Sequence, residues 1–135
     1  MSANIATFLH DSAVRHPDAI CVVSGDRSYT WAQVNRDVTT YAAGLLERGM
    51  RPGDRIALLL GNTYEFVIAY YASARAGLVS VPLNPAYQAR ELSYFVHDAR
   101  PGLAVCRSEA RALFEKLAAE TGTAHLLDLD AAGKG

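Results

Sequence analysis

Residues 55–85 read RIALLLGNTYEFVIAYYASARAGLVSVPLNP, and the order of events in this stretch decides the fold. After Arg55 the chain is apolar without interruption to Leu60, as expected of a strand covered on both faces of a parallel sheet. Asn62 is placed to cap the next helix, with Glu65 three positions on. From Thr63 to Ala76 the chain is apolar nearly all round, through Tyr64, Phe66, Val67, Ile68, Tyr70, Tyr71 and Ala74, which predicts a helix packed on more than one side. Gly77 ends that helix. Leu78 to Val81 then reads as a second parallel strand, closed by Pro82 and by Asn84-Pro85.

The alternation continues in both directions. Downstream, Leu92, Phe95, Val96 and Ala99 stripe a helix that Pro101-Gly102 break, and Leu103 to Cys106 is a third such strand. Ala110, Leu113, Phe114 and Leu117 mark another helix, and Ala124 to Leu129 a last strand. Upstream, Trp31, Val34, Val38, Tyr41, Ala42 and Leu45 repeat at the spacing of one buried helical face, behind a Thr30/Gln33 capping box. Ala19 to Ser24 and Arg27 to Thr30 flank Gly25-Asp26 as a hairpin. Residues 4–15 predict a first helix through Ile5, Phe8, Leu9 and Val14, stopped by Pro17. The expected fold is α/β: three layers, a mostly parallel sheet and an N-terminal β-hairpin. Residues 1–130 are expected to form a single subdomain, and 131–135 a flexible tail.

Composition sets outer limits. The chain has 135 residues, half of them hydrophobic, and a formal net charge of −1. A chain of this length buries about two-thirds of its surface, enough for one core. The balanced, scattered charge gives no general grip on nucleic acid or anionic lipid, so neither is an expected partner. No apolar run approaches the length of a bilayer span, and the N-terminus lacks the pattern of a signal peptide. Cys21 and Cys106 each sit in an apolar stretch and are expected to be buried, reduced thiols of a cytoplasmic protein.

Chemistry is sparse. Gly133-Lys134 has Asp128 where a phosphate-binding loop needs its first glycine and Gly135 where it needs a hydroxyl. His10, His16, His97 and His125 have no ligand-spaced partners, so no metal site is expected. His97 and Asp98 are adjacent on a helix and do not face each other. Ser24, Ser28, Ser73, Ser80, Ser93 and Ser108 show no nucleophile-elbow context. Tyr64, Phe66, Tyr70 and Tyr71 suit either a packed core or an apolar pocket. No catalytic, cofactor-binding or metal residue is assigned, and the substrate-binding residues are unknown.

The motifs add a family. Arg27-Ser28-Tyr29-Thr30-Trp31, followed by Ala42-Ala43-Gly44-Leu45, resembles the opening core motif of adenylate-forming (AMP-binding) enzymes. Gly49-Met50-Arg51-Pro52-Gly53-Asp54-Arg55-Ile56-Ala57 is similar to the next turn and strand of that family, and Ala74 to Pro85 to its second core motif. Glu91-Leu92 and Asp98-Ala99-Arg100-Pro101 fit as well. The stretch Val81 to Pro85 looks more like acyl- or aryl-CoA synthetases than peptide synthetases.

The resemblance implies a ligase that uses ATP to adenylate a carboxylate and then forms a thioester with coenzyme A, in a setting such as fatty acid metabolism. It implies ATP, magnesium and coenzyme A for the full-length enzyme and none on this chain alone. The family's phosphate loop, its ribose-holding Asp and its catalytic Lys have no counterpart here. The chain is therefore expected to be an N-terminal portion, inactive in isolation, whose partner is the remainder of the enzyme. Self-association through apolar surface left bare is also expected. Two alternatives stay open: a non-catalytic module completing a partner chain, and an unrelated small α/β ligand-binding domain.

Overall fold

The computed structural model describes residues 5–132. Helix α1 (Ile5–Arg15) leads into a hairpin of β1 (Ile20–Ser24) and β2 (Arg27–Thr30), then α2 (Trp31–Glu47). Strands and helices alternate from there: β3 (Arg55–Leu58), α3 (Tyr64–Arg75), β4 (Val79–Pro82), α4 (Ala89–Ala99), β5 (Leu103–Cys106), α5 (Arg111–Thr121), β6 (His125–Asp128) and the short α6 (Leu129–Ala132). The hairpin is antiparallel, and β3–β6 form a four-stranded sheet in the order β4-β3-β5-β6, with every pairing parallel. The predicted α/β architecture is the observed one.

Period-two alternation along the central strands separates the two cores. Ile56, Leu58, Leu60, Leu103 and Val105 face one side, where α2 and α3 contribute Val34, Val38, Leu45, Ile68 and Ala72. Ala57, Leu59, Ala104 and Cys106 face the other, against Leu92 and Val96 of α4 and Phe114 and Leu117 of α5. Small residues at Ala57 and Ala104 leave room for Phe114, which is 1% exposed. Burying a side chain of this kind contributes roughly 1.5–3 kcal/mol.

Local signals set the element ends. Thr30 Oγ1 accepts from the Gln33 amide at 3.1 Å, and Gln33 Oε1 accepts from the Thr30 amide at 2.8 Å, forming the expected capping box. The α3 cap differs from the expectation. Thr63, not Asn62, accepts from the Phe66 amide at 3.2 Å, because its hydroxyl also donates to the Leu60 carbonyl and so is fixed over the helix end.

Helix α1 also departs from its predicted face: Ala6, Leu9 and Ala13 are buried, while Phe8 and Val14 stand 63% and 68% exposed. The small residues win because α1 crosses both α2 and α3 closely. Cys106 is buried as expected, but Cys21 is only partly so, since β1 pairs solely with β2 and lies outside the main sheet. Of the stretch expected to be a loose tail, residues 131 and 132 close a helical turn and 133–135 lie outside the described residues.

Candidate functional site at the carboxyl ends of the strands

The sheet order makes one place special. From β3 the chain passes through α3 to β4 on one side, whereas from β5 it passes through α5 to β6 on the other. Connections that leave neighbouring strands in opposite directions open a crevice at their carboxyl ends, the usual ligand position in open α/β sheets. Two adjoining cavities of 590 and 480 Å³ lie there, sharing Gly61, Pro85 and Tyr87.

Each wall follows from local sequence. The Leu59 amide donates to the Val105 carbonyl at 2.9 Å and the Leu83 amide to the Leu58 carbonyl at 2.8 Å, so pairing carries the backbone to the crevice floor. At the β4 exit the Asn84 side chain accepts from the Ala86 amide and its carbonyl accepts from the Tyr87 amide, both at 2.9 Å. That turn, stiffened by Pro82 and Pro85, presents Tyr87, whose ring stacks on Phe95 at 5.2 Å. The β5 exit supplies Arg107 and Glu109 at the mouth, and Leu59, Leu92 and Leu113 line the interior.

Arg107 and the charges just beyond the mouth are paired. Arg107 stands 3.5 Å from Asp130 and 3.9 Å from Glu65. The Ser108 hydroxyl donates to the Asp128 carboxylate at 2.8 Å, and its amide donates to Asp130 at the same distance. Arg111 pairs with Glu115 at 2.8 Å and lies 3.6 Å from the buried Asp128. These pairs tie β6 and α6 to the start of α5. Ser108 meets a carboxylate rather than the imidazole that usually activates a serine nucleophile.

The residues singled out from sequence do not converge. His10 lies on α1 with His16 just past its end, His125 on β6, and His97 joins α4 to α5, with Nδ1 2.8 Å from the Ser93 carbonyl and Nε2 3.1 Å from Glu120. Phe66, Tyr70 and Tyr71 are partly buried against the core, with Phe66 stacked on Tyr70 and Tyr70 edge-on to Tyr71, and of the three Phe66 lines the crevice. Tyr64 donates to Asp37 at 2.7 Å and lies flat on Tyr29 at 3.7 Å. Burial first, and then the Asp37 hydrogen bond and charge, push its phenol well above the usual range. Gly133-Lys134 lies outside the described residues.

Among the described residues no three His, Cys, Asp or Glu side chains gather as a metal site, and no loop has the spacing of a phosphate cradle. Arg107, Tyr87 and Asp130 were missed from sequence; position at a strand's carboxyl end was the signal that could have found Arg107.

Comparisons with known proteins agree with this picture. The family model for AMP-binding enzymes matches residues 9–134. The mitochondrial medium-chain acyl-CoA ligase ACSF2 of Danio rerio is 35% identical over 107 residues, 78% of this chain and 18% of the relative. The phosphinothricin tripeptide synthetase PhsC of Streptomyces viridochromogenes is 34% identical over 123 residues, 91% of this chain and 11% of the relative. Among solved structures, the N-terminal domain of FACL13 from Mycobacterium tuberculosis superposes with a TM-score of 0.89 at 28% identity, covering 98% of this chain and 36% of that one. The chain thus spans less than a fifth of the length of these two sequence relatives. With nearly the whole sequence matched and the same fold observed, the chain belongs to the AMP-binding enzyme family.

Proposed function

We propose that this chain is the N-terminal portion of an acyl-CoA synthetase, in which it builds part of the large domain and one wall of the strand-end crevice without carrying the reacting groups. The observation that carries the reading is where the motif residues lie. Ala74 to Pro85 forms a helix end, the edge strand β4 and the crevice rim, while Arg107 at the crevice mouth is paired with Asp130, and Arg111 beyond it stands beside Asp128. In the complete enzyme ATP, magnesium and coenzyme A would be held largely by residues other than these, and the remainder of that enzyme is the partner proposed. Coenzyme A, rather than a peptidyl carrier, is favoured by the Val81-Pro82-Leu83-Asn84-Pro85 rim, although relatives of both kinds match.

The test is ATP–pyrophosphate exchange with a panel of carboxylates. The 135-residue chain is expected to give none, and detectable exchange would sink the claim that the reacting groups lie elsewhere. Reading the gene past Gly135 supplies the longer protein, which is expected to form thioesters with coenzyme A. Adenylation without any thioester would move the reading toward peptide synthetases.

Among the described residues no helix is long and apolar enough to cross a membrane. The two free thiols support the cytoplasm as the compartment; a tagged protein found in an organelle would overturn that. Phe8, Val14, Ile20 and Val23 are large apolar side chains more than half exposed, which supports self-association. Sedimentation velocity that stays monomeric at high concentration would refute it.

A further inference from the structure

At the far end of α3 from the crevice, Arg75 sits among three helices without an acid. Its guanidinium donates to Thr39 Oγ1 at 2.7 Å, to Asn35 Oδ1 at 2.8 Å and to the Ala6 carbonyl at 3.4 Å. All three acceptors are neutral, and no carboxylate among the described residues stands within ion-pair distance of Arg75. A guanidinium has five N–H bonds, so three hydrogen bonds leave two N–H bonds available. Burial lowers its pKa from the usual guanidinium range, as expected of a cation whose water has been replaced by uncharged groups. The Thr39 hydroxyl in turn donates to the Asn35 carbonyl at 2.9 Å, so the side chains that hold Arg75 are themselves held.

Beside Arg75 is an open cavity of 230 Å³, lined by Ala6, Thr7, His10 and Arg75. Thr7 and His10 project from successive turns of α1, three residues apart and hence on one face. Arg75, His10 and Thr7 thus border one space, and among the described residues no carboxylate lines it with them.

We propose that this cavity, between α1 and the last turn of α3, binds a phosphate-type oxyanion gripped by Arg75 with Thr7 and His10 beside it. Donors from two helices suit an acceptor whose oxygens point in several directions, whereas a carboxylate offers two oxygens in one plane. The site lies about 18 Å from the crevice, taking twelve residues of α3 at 1.5 Å each. It does not depend on the ligase reading, and its ligand is inorganic phosphate or the phosphate group of a small ester.

The experiment is an NMR titration of the 135-residue chain with inorganic phosphate, glycerol phosphate and acetate, each at constant ionic strength. The expected result is a saturable millimolar shift of the His10 ring and Thr7 amide resonances with a phosphate ligand, and no movement at Leu126 on the far edge of the sheet. Arg75→Met is expected to weaken binding by about tenfold or more, and the exposed His10→Ala by several-fold, with the fold intact. Saturation by both phosphates identifies a site for the bare anion; saturation by glycerol phosphate alone identifies a site for an ester. The proposal is overturned if no ligand saturates, if acetate binds as tightly as phosphate, or if Arg75→Met and His10→Ala both leave the titration unchanged.

Discussion

Replacing Gly77 by alanine tests whether the best-defined family motif in this chain is scaffold. Gly77 has φ +80°, and an added Cβ would lie 3.2 Å from Pro52 Cβ and 3.5 Å from Pro52 Cα. Placing alanine in this left-handed region costs about 1–2 kcal/mol. Pro52 has no rotamer with which to yield, and the turn it opens is fastened to Gly77 by the Gly53 amide donating to the Gly77 carbonyl at 2.8 Å. Moving that turn aside weakens the hydrogen bond, adding up to about 1 kcal/mol. The combined loss is about 1–3 kcal/mol, above that of a glycine that meets only the backbone penalty.

Two controls separate the terms. Gly49→Ala meets the same backbone penalty at φ +87° with no atom within 4 Å, so it is expected to lose only about 1–2 kcal/mol. Gly44→Ala lies inside α2 with open space around it and is expected to gain about 0.5–1 kcal/mol. Urea unfolding with an unchanged slope reads all three, and Gly77→Ala should lower the midpoint by roughly 1 M. If Gly77→Ala matches Gly49→Ala, the Pro52 contact contributes nothing. If Gly77→Ala unfolds like the parent yet silences the longer enzyme, the motif touches substrate and the scaffold reading fails.

Thr30→Ala removes the capping-box hydroxyl of α2 and is expected to cost about 1 kcal/mol, while Asn62→Ala should cost little because Thr63 caps α3; equal losses in urea midpoints would refute the Thr63 assignment. Burial, with the charge of Asp128 second, pushes the Cys106 thiol up to about 11 from 9.0. Between those values the unfolded chain has released the proton and the native chain has kept it, so native stability falls as pH rises from about 9 toward 11. Denaturation midpoints measured across that window should drop less steeply in Cys106→Ala than in the parent. At pH 8 the Cys106 thiol should also react with maleimide far more slowly than Cys21, and equal rates would refute its burial.

The fold was legible because each strand announced itself. An uninterrupted apolar run such as Ile56 to Leu60 is needed only where both faces of a strand are covered, and Gly77 and Pro101-Gly102 punctuate the helices between such runs. Helix α1 misled because hydrophobicity identifies apolar residues without saying how closely another helix approaches. Where α1 crosses α2 and α3, Ala6 and Ala13 fit and Phe8 does not. The crevice was illegible for another reason. It is assembled from three loops whose proximity depends on strand order, and nothing in the local pattern says that β3 pairs with both β4 and β5. Arg75 was hidden in the same way, since its partners are 36 to 69 residues away in sequence.

The opening motif, Arg27 to Trp31, carries the same lesson to a quantity that can be measured. Tyr29 belongs to the hairpin and Tyr64 to the first turn of α3, yet their rings lie 3.7 Å apart and 8° from parallel. The Tyr64 hydroxyl then reaches Asp37 on α2, so two rings and one hydrogen bond join α3 to the hairpin and to the helix that follows it. A hairpin outside the main sheet has no ladder to hold it there, so this contact helps to seat it on the helices, beside Cys21 and Val22 packed on the core and the Trp31 amide donating to the Ala19 carbonyl at 3.0 Å. A double-mutant cycle with Tyr29→Leu and Tyr64→Leu should therefore show a coupling of about 0.5–1.5 kcal/mol. Tyr64→Phe alone should cost about 1 kcal/mol through the lost hydrogen bond while keeping the stack. Additive losses from the two leucine variants would mean that the rings merely adjoin, and the Arg27 to Trp31 motif would then need an explanation in chemistry rather than in folding.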